Sequence, residues 1–167
     1  DFCLQMIPLI AYGITRDEEV LCASLSLADQ ILKNCDPNLP RSFASNNFDT
    51  LYGMFAKAET ETEQKSIYLT SAIVSIINAL PIQREDLALI ILEDCLSDSN
   101  ISSSSFRKVS ACLNRFPVIM QGHDDRLFDF IVKGLDMTGL AQCDAIRALS
   151  FFVRGTTNPG YFYPKAL

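Results

Sequence analysis

The chain has 167 residues, of which 49% are apolar, with 14 basic and 20 acidic side chains and six cysteines. This composition excludes a disordered chain. Folding at this length buries roughly 70% of the unfolded surface, so the core needs neither a disulfide nor a metal. The formal charge of −6 argues against a protein that coats nucleic acid or anionic membranes. No apolar run of the sequence approaches the roughly 20 residues that span a bilayer.

Two capping boxes mark the starts of long helices in the first half of the chain. Thr15–Glu18 predicts a helix that runs to about Asn34, and Thr60–Glu63 predicts a second helix that runs to about Leu80. In such a box the hydroxyl accepts from a free amide while the glutamate reaches back to the cap residue. Strand patterns are weak throughout, so we expect an all-α protein.

The second half carries its own boundary residues. The serine run Ser102–Ser105 favours a helix N-cap, and a phosphate there would be electrostatically favourable, which makes phosphorylation a hypothesis for regulation. Gly155, through a positive φ, is expected to close a helix from about Thr138 to Arg154. Shorter amphipathic stretches predict further helices at 2–13, 46–58, 84–97 and 124–135. The longest connection is 36–45.

A short motif recurs at the ends of the longer helices. Asn34, Asn78 and Asn114 each precede a proline by three residues, and the motifs are 44 and 36 residues apart. Proline ends a helix because it lacks the amide donor and clashes with the preceding turn. Two interpretations of the asparagines are open: they terminate helices and pack neighbouring repeats, or they form a row that contacts a ligand.

On this period and motif, the sequence resembles the helical-hairpin solenoids. Units of about 40 residues with Asn near the end of the inner helix are similar to armadillo and HEAT repeats. Units of 36 residues are similar to the pentatricopeptide and octotricopeptide RNA-binding repeats of organelles, including those beside RAP domains. The tetratricopeptide pattern is excluded because the chain has no Trp. The resemblance implies a right-handed superhelix that binds protein in the first case and RNA in the second.

We therefore predict an all-α, right-handed α-solenoid of about four antiparallel hairpins and about eight helices, in a single domain over residues 1–167. Residues 160–167 are either an aromatic tail folded onto the last hairpin or the start of a fifth repeat. In the second case, we expect the chain to be part of a longer solenoid, or its end to be capped by a partner. The predicted hairpins are 1–37, 46–81, 84–117 and 124–155.

The spacing and positions of the six cysteines favour an intracellular protein. They lie at least 13 residues apart, which excludes a Cys-x-x-Cys zinc or redox motif. Most lie within helical apolar patterns, so we expect reduced core thiols in a cytoplasmic or nuclear protein, with a disulfide framework as the alternative. The chain begins at Asp1 rather than at a methionine. If a transit peptide has been removed, a mitochondrion or another organelle is the alternative location.

Residues that would support catalysis are scarce. The only histidine, His123, lies in a turn before a helix, where a cap or loop role is favoured over that of a base or metal ligand. No glycine-rich phosphate loop occurs. The acidic pairs at 85/86, 93/94 and 124/125 lie near helix starts or on polar faces, and we interpret them as solvated charge. We expect no enzyme activity, no cofactor, no metal and no small-molecule substrate.

Basic side chains cluster in the second half of the chain. On a helix, Arg107 and Arg115 share one face with Ala111 between them, and Lys108 lies beside it. Arg147 and Arg154 occupy a matching face two helices later. Together they predict a modest basic strip that contacts an acidic peptide or phosphate, with plain solvated surface as the alternative.

The combined pattern predicts a non-catalytic protein-interaction scaffold or structural subunit of a larger assembly, which binds a protein partner along its surface. The acidic balance and high apolar content favour this function. An organellar-type RNA-binding repeat is the alternative, favoured by the 36-residue period and the arginines but opposed by the acidic charge. Leu32 and Ile77 are predicted to lie in the helix interfaces of the core.

Overall fold

The computed structural model describes residues 9–10, 12–13, 16, 18–33, 41–57, 62–120, 122–157 and 159–162. These residues are helical or lie in short connections, and none of them is in a strand, which confirms the all-α prediction. The chain divides into two compact units, Asp1–Arg84 and Glu85–Leu167.

The first unit contains three long helices. They are α1 (Glu18–Lys33), α2 (Arg41–Lys57) and α3 (Glu63–Ala79), and a 3₁₀ turn, Ile82–Arg84, follows α3. Both α1 and α2 pack against α3. The apolar positions of α1 that recur at helical spacing are buried, namely Leu21, Leu25 and Ala28.

Two helix starts in the first unit differ from their predictions. α2 begins at Arg41 rather than near 46, because no Gly or Pro interrupts the chain between Pro40 and Gly53. The N-cap of α3 is Thr62 rather than Thr60, and its hydroxyl accepts from the Lys65 amide at 3.3 Å. Glu63 is therefore the first residue of α3 and not the reciprocal partner of a capping box.

Other predictions for the first unit fall on residues outside the described ranges. They include Thr15 of the first capping box, the asparagine Asn34 and most of the predicted helix 2–13. Four residues of that stretch are described, and all four are helical: Leu9, Ile10, Tyr12 and Gly13.

The described part of the second unit forms five helices. They are α4 (Glu85–Ser97), α5 (Ser103–Arg115), α6 (Asp124–Leu135), α7 (Leu140–Gly155) and the short α8 (Pro159–Phe162). α5 packs against both α4 and α7, and α6 packs against α7. The predicted stretches 84–97 and 124–135 and the predicted helix 138–154 match α4, α6 and α7 to within two residues.

Aromatic rings fill the interior of this unit. The Phe106 and Phe130 ring centroids are 4.9 Å apart, which joins α5 to α6. Phe162 of α8 contacts Phe128 and Phe152, with centroids 5.0 and 5.1 Å away. The aromatic tail thus folds onto α6 and α7 as far as Phe162, while residues 163–167 lie outside the described ranges.

The two described proline motifs end their helices in the same way. In each, an apolar C-cap residue precedes the proline and is buried: Leu80 before Pro81, and Phe116 before Pro117. The C-cap amide donates to the carbonyl four residues back, at 3.0 Å for Leu80 and 2.8 Å for Phe116. A 3₁₀ turn begins at or just after each proline. The predicted helix stops at proline are confirmed.

Glycine acts at the start of α7 rather than at its end. Gly155 is the last helical residue, and the C-cap Thr156 has extended backbone (φ −67°, ψ 138°), so the predicted left-handed stop at Gly155 is wrong. The Thr156 amide closes the helix by donating to the Phe152 carbonyl at 2.9 Å. At the other end of the helix, the N-cap residue Gly139 has a positive φ of +67°.

Candidate functional site

The outward face of α7 is apolar over much of its length. Leu140, Ile146 and Val153 are 75%, 54% and 48% exposed, although each is a large aliphatic residue. The opposite face is buried through Ala145, Ala148 and Phe152 against the rest of the unit. α7 therefore has an inner apolar face that builds the core and an outer one that no described residue covers.

Two arginines border this outer face. Arg147 lies 3.5 Å from the carboxylate of Asp144, one turn earlier on the same helix. The Arg154 guanidinium lies over the Phe151 ring, 5.6 Å from its centroid. Both arginines are exposed. The outer face of α7 thus combines aliphatic side chains with a basic edge. We call these two arginines, with Ile146 and Val153, the α7 face; Leu140 lies about 120° from Ile146 around the helix.

The basic residues of α5 do not form the open strip that was predicted. Arg107 and Lys108 are half-buried, and Ala111, between Arg107 and Arg115, is only 8% exposed. Arg115 is exposed, with its guanidinium 5.9 Å from the Phe116 ring centroid. The packing of α5 between α4 and α7 covers the middle of the predicted face, which one helical wheel could not reveal. α5 and α7 are nevertheless neighbours.

The two described asparagines of the proline motif lie on the surface. Asn78 and Asn114 are exposed, each two residues before the C-cap of its helix. The two residues belong to different units. Asn34 lies outside the described ranges. A ligand-contacting row therefore stays a prediction.

A charged cluster that sequence reasoning missed joins α4 to the start of α6. Arg126 Nη1 donates to both carboxylate oxygens of Glu93 at 3.1 Å, and His123 Nδ1 lies 3.0 Å from Glu93 Oε1. His123 was predicted to be a cap or loop residue, and it occupies the N-cap position of α6. Its side chain makes no cap hydrogen bond. Glu93 is thus engaged by two partners rather than simply solvated. Its partners are about 30 residues away in sequence, so only the fold brings them together.

The serine run begins α5, as predicted. Ser102 is in the N-cap position with extended backbone, although its side chain makes no cap hydrogen bond. The hydroxyl of Ser103 donates to the Asp144 carboxylate at 2.7 Å. This contact joins the first turn of α5 to α7. A phosphate on Ser103 would face that carboxylate, which opposes a stabilising role for phosphorylation at this residue.

The described cysteines are all free thiols, but they are not all core residues. Cys95 and Cys112 are buried, and burial raises the pKa of the Cys95 thiol from 9.0 to about 11. Burial also raises the pKa of Cys112, whose thiol donates to the Ala88 carbonyl at 3.6 Å. Cys143 is exposed on α7, which departs from the core position expected for it.

The described residues form neither a metal site nor a membrane span. No three His, Cys, Asp or Glu side chains among the described residues come together in a group that could hold a metal ion. Nor does any described helix have the length and apolar character of a membrane span. Comparison with protein-family models finds no match for the chain, and a search of curated proteins finds no relative. The α7 face is therefore the feature on which a functional conclusion rests.

Proposed function

We propose that the protein is a non-catalytic helical-repeat scaffold that binds a protein partner, as a subunit of a larger assembly. The observation that carries this proposal is the α7 face, where Ile146 and Val153 lie on one side of the helix and are each about half exposed. Exposed apolar residues clustered on one helix face, with polar groups at their border, are typical of protein-binding surfaces.

Contacts within the second unit support an α-solenoid as the architecture. Cys112, late in α5, reaches Ala88, early in α4. Thr156, just after α7, donates to Asp124 at the start of α6 at 3.3 Å. Each contact places the end of one helix beside the beginning of the previous helix, as antiparallel hairpins require.

A third contact relates the two predicted hairpins of that unit. The Ser103–Asp144 hydrogen bond joins the first turn of α5 to the second turn of α7. Parallel packing of the second helices of successive hairpins is typical of helical-repeat stacks. In the first unit, α1 and α3, the second helices of the first two predicted hairpins, also pack against each other. We propose that these hairpins stack into a right-handed superhelix.

Electrostatics favour a protein partner over RNA. The second unit carries ten acidic and eight basic side chains, and Arg147 is already paired with Asp144. An RNA-binding repeat would need several uncompensated cations along one surface, because phosphate contacts supply most of its affinity. RNA binding is the competing function, because Arg115, Arg147 and Arg154 are exposed and could contact phosphates.

The experiment is affinity capture from a lysate of the source organism, with the wild-type chain and the double variant Ile146→Glu/Val153→Glu as baits. The control bait is Ile90→Glu, since Ile90 is a half-exposed aliphatic residue of α4 in the same unit. We expect the wild type and the control to retain a common set of proteins that the double variant loses. Circular dichroism should show equal helix content in all three baits.

Two results would contradict the proposal. One is an identical set of captured proteins for wild type and double variant. The other is micromolar binding of mixed single-stranded RNA in fluorescence anisotropy, with steep salt dependence and loss on Arg107→Ala/Arg147→Ala. The second result would move the assignment to an RNA-binding repeat.

A further inference from the structure

We propose that the α7 face binds one acidic amphipathic helix of the partner, which lies along α7. This inference rests on the proposed scaffold function and specifies the class of partner. Its basis is the arrangement of aliphatic and basic side chains on α7 and the position of the one carboxylate of that helix.

The aliphatic part of the α7 face has the dimensions of a helix-docking seam. Ile146 and Val153 are seven residues apart, which places them on the same side of the helix, about 10 Å apart along its axis. Ser150 and Cys143, both exposed, continue this side between and before them. Small side chains that alternate with large aliphatic ones leave space for the side chains of an apposed helix.

The basic edge runs parallel to this seam. Arg147 and Arg154 are also seven residues apart, and each follows an aliphatic seam residue by one position. Their shared side of the helix is displaced by about 100° from that of Ile146 and Val153. A partner helix packed on the seam would therefore present one of its edges to both arginines. Acidic residues at a seven-residue spacing on that edge would pair with them.

No exposed carboxylate of α7 competes for these arginines. The helix contains a single acidic residue, Asp144, which is buried and is held by the Ser103 hydroxyl at 2.7 Å. Its contact with Arg147 is long, at 3.5 Å. Arg154 makes no ion pair with a described carboxylate. Arg154 is thus the arginine of the basic edge without a carboxylate partner among the described residues, and Arg147 shares its one carboxylate with the Ser103 hydroxyl.

The same observation disfavours a second copy of this chain as the occupant. If α7 packed against α7 of another copy, neither helix would supply an exposed carboxylate to the arginines of the other. The Arg154 side chains of both copies would then be desolvated without a carboxylate partner, which costs binding free energy. An external acidic helix avoids this cost.

The test uses the full chain and two synthetic 16-residue helical peptides of identical aliphatic pattern. One carries glutamates and the other carries lysines along one edge. Binding is measured by fluorescence anisotropy at low and physiological salt. We expect the wild-type chain to bind the Glu peptide about tenfold more tightly than the Lys peptide. The charge-reversed variant Arg147→Glu/Arg154→Glu should show the opposite preference. Ile146→Glu/Val153→Glu should lose both peptides, and Ile90→Glu should lose neither.

Several outcomes would overturn the inference. Equal affinity of the wild-type chain for both peptides, or no binding of either, would remove the acidic helix as the occupant. Failure of this kind would leave the scaffold function standing if Ile146→Glu/Val153→Glu still loses captured proteins. Concentration-dependent dimerisation in sedimentation that Ile146→Glu abolishes would assign the face to a second copy. Displacement of the Glu peptide by single-stranded RNA at lower concentration would assign the arginines to phosphate.

Discussion

Asp144 shows how a single buried side chain can control the character of a surface. The Ser103 hydroxyl donates to its carboxylate, and the Arg147 guanidinium approaches it from the other side. This inward position removes the only negative charge of α7 from the outer face of the helix. The arginines that remain outside give the α7 face its basic edge. Burial of one carboxylate thus leaves the outer side of α7 with arginines and without an acidic residue.

The thiols provide a test of burial at the same scale. Burial raises the pKa of Cys95 from 9.0 to about 11. Because the reactive form is the thiolate, this shift lowers the thiolate fraction about a hundredfold at any pH below 9. We expect iodoacetamide at pH 8 to modify the exposed Cys143 rapidly and Cys95 very slowly. Peptide mass spectrometry after timed labelling would measure both rates.

The control for the thiol experiment is the unfolded chain, in which both cysteines should react at similar rates. The protection of Cys95 should decline as the pH rises from 9 to 11, because its thiolate fraction then increases. Equal labelling of Cys95 and Cys143 in the folded protein at pH 8 would contradict the burial assigned to Cys95.

Among the helices of the second unit, α6 approaches its neighbours closely at Gly134. A Cβ atom at this position would overlap the Phe106 ring and lie 2.6 Å from the Cβ of Ala145. The Phe106 ring is buried against Phe130, so it has no free space in which to move. The absence of a side chain at Gly134 therefore allows α6 to pack closely on both α5 and α7.

We expect Gly134→Ala to lower the free energy of unfolding. Overpacking typically costs about 1–3 kcal/mol, and a better helix propensity returns only about 1 kcal/mol. The matched control is Gly53→Ala in α2, where a new Cβ would meet no atom within 4 Å. This variant should be as stable as the wild type or more stable by up to about 1 kcal/mol. Urea unfolding would measure both; equal effects at the two positions would contradict the close packing of α6.

The core of α3 offers a second pair of matched positions. Ile77 is fully buried, whereas Ile67, on the same helix, is 43% exposed. Ile77→Asp places an unpaired charge in the packed interface with α1 and α2, which we expect to cost roughly 4 kcal/mol or more. Ile67→Asp should change the free energy of unfolding by about 0.5 kcal/mol at most. A folded, fully helical Ile77→Asp variant of wild-type stability would contradict the position of this residue in the core.

The features that could be predicted from sequence are those set by local chemistry. Periodic apolar residues and the prolines at 81 and 117 place most helices and their ends to within a few residues. The features that could not be predicted depend on packing between helices. Ala111 is covered by neighbouring helices, and Glu93 finds its partners on α6. Of the candidate site, Arg147 and Arg154 could be named from their spacing, whereas the adjoining exposure of Ile146 and Val153 could not.

At the scale of the whole molecule, the proposed scaffold is a helical-repeat stack that recognises its partner through α7. Each unit shows contacts between the second helices of successive predicted hairpins, α1 with α3 and α5 with α7. A repeat stack that buries its core through neighbouring hairpins leaves outer helix faces available for a partner. The α7 face is one described surface where aliphatic exposure and positive charge coincide.

The most direct measurement is photo-crosslinking with benzoylphenylalanine at position 146, compared with the same group at position 90. Both variants of the full chain would be irradiated in a lysate of the source organism, and the adducts would be digested with protease or ribonuclease. We expect a discrete adduct from position 146 and none from position 90. Protease should remove this adduct, and ribonuclease should not. A ribonuclease-sensitive adduct at position 146, or identical adducts from both positions, would contradict protein recognition by the α7 face.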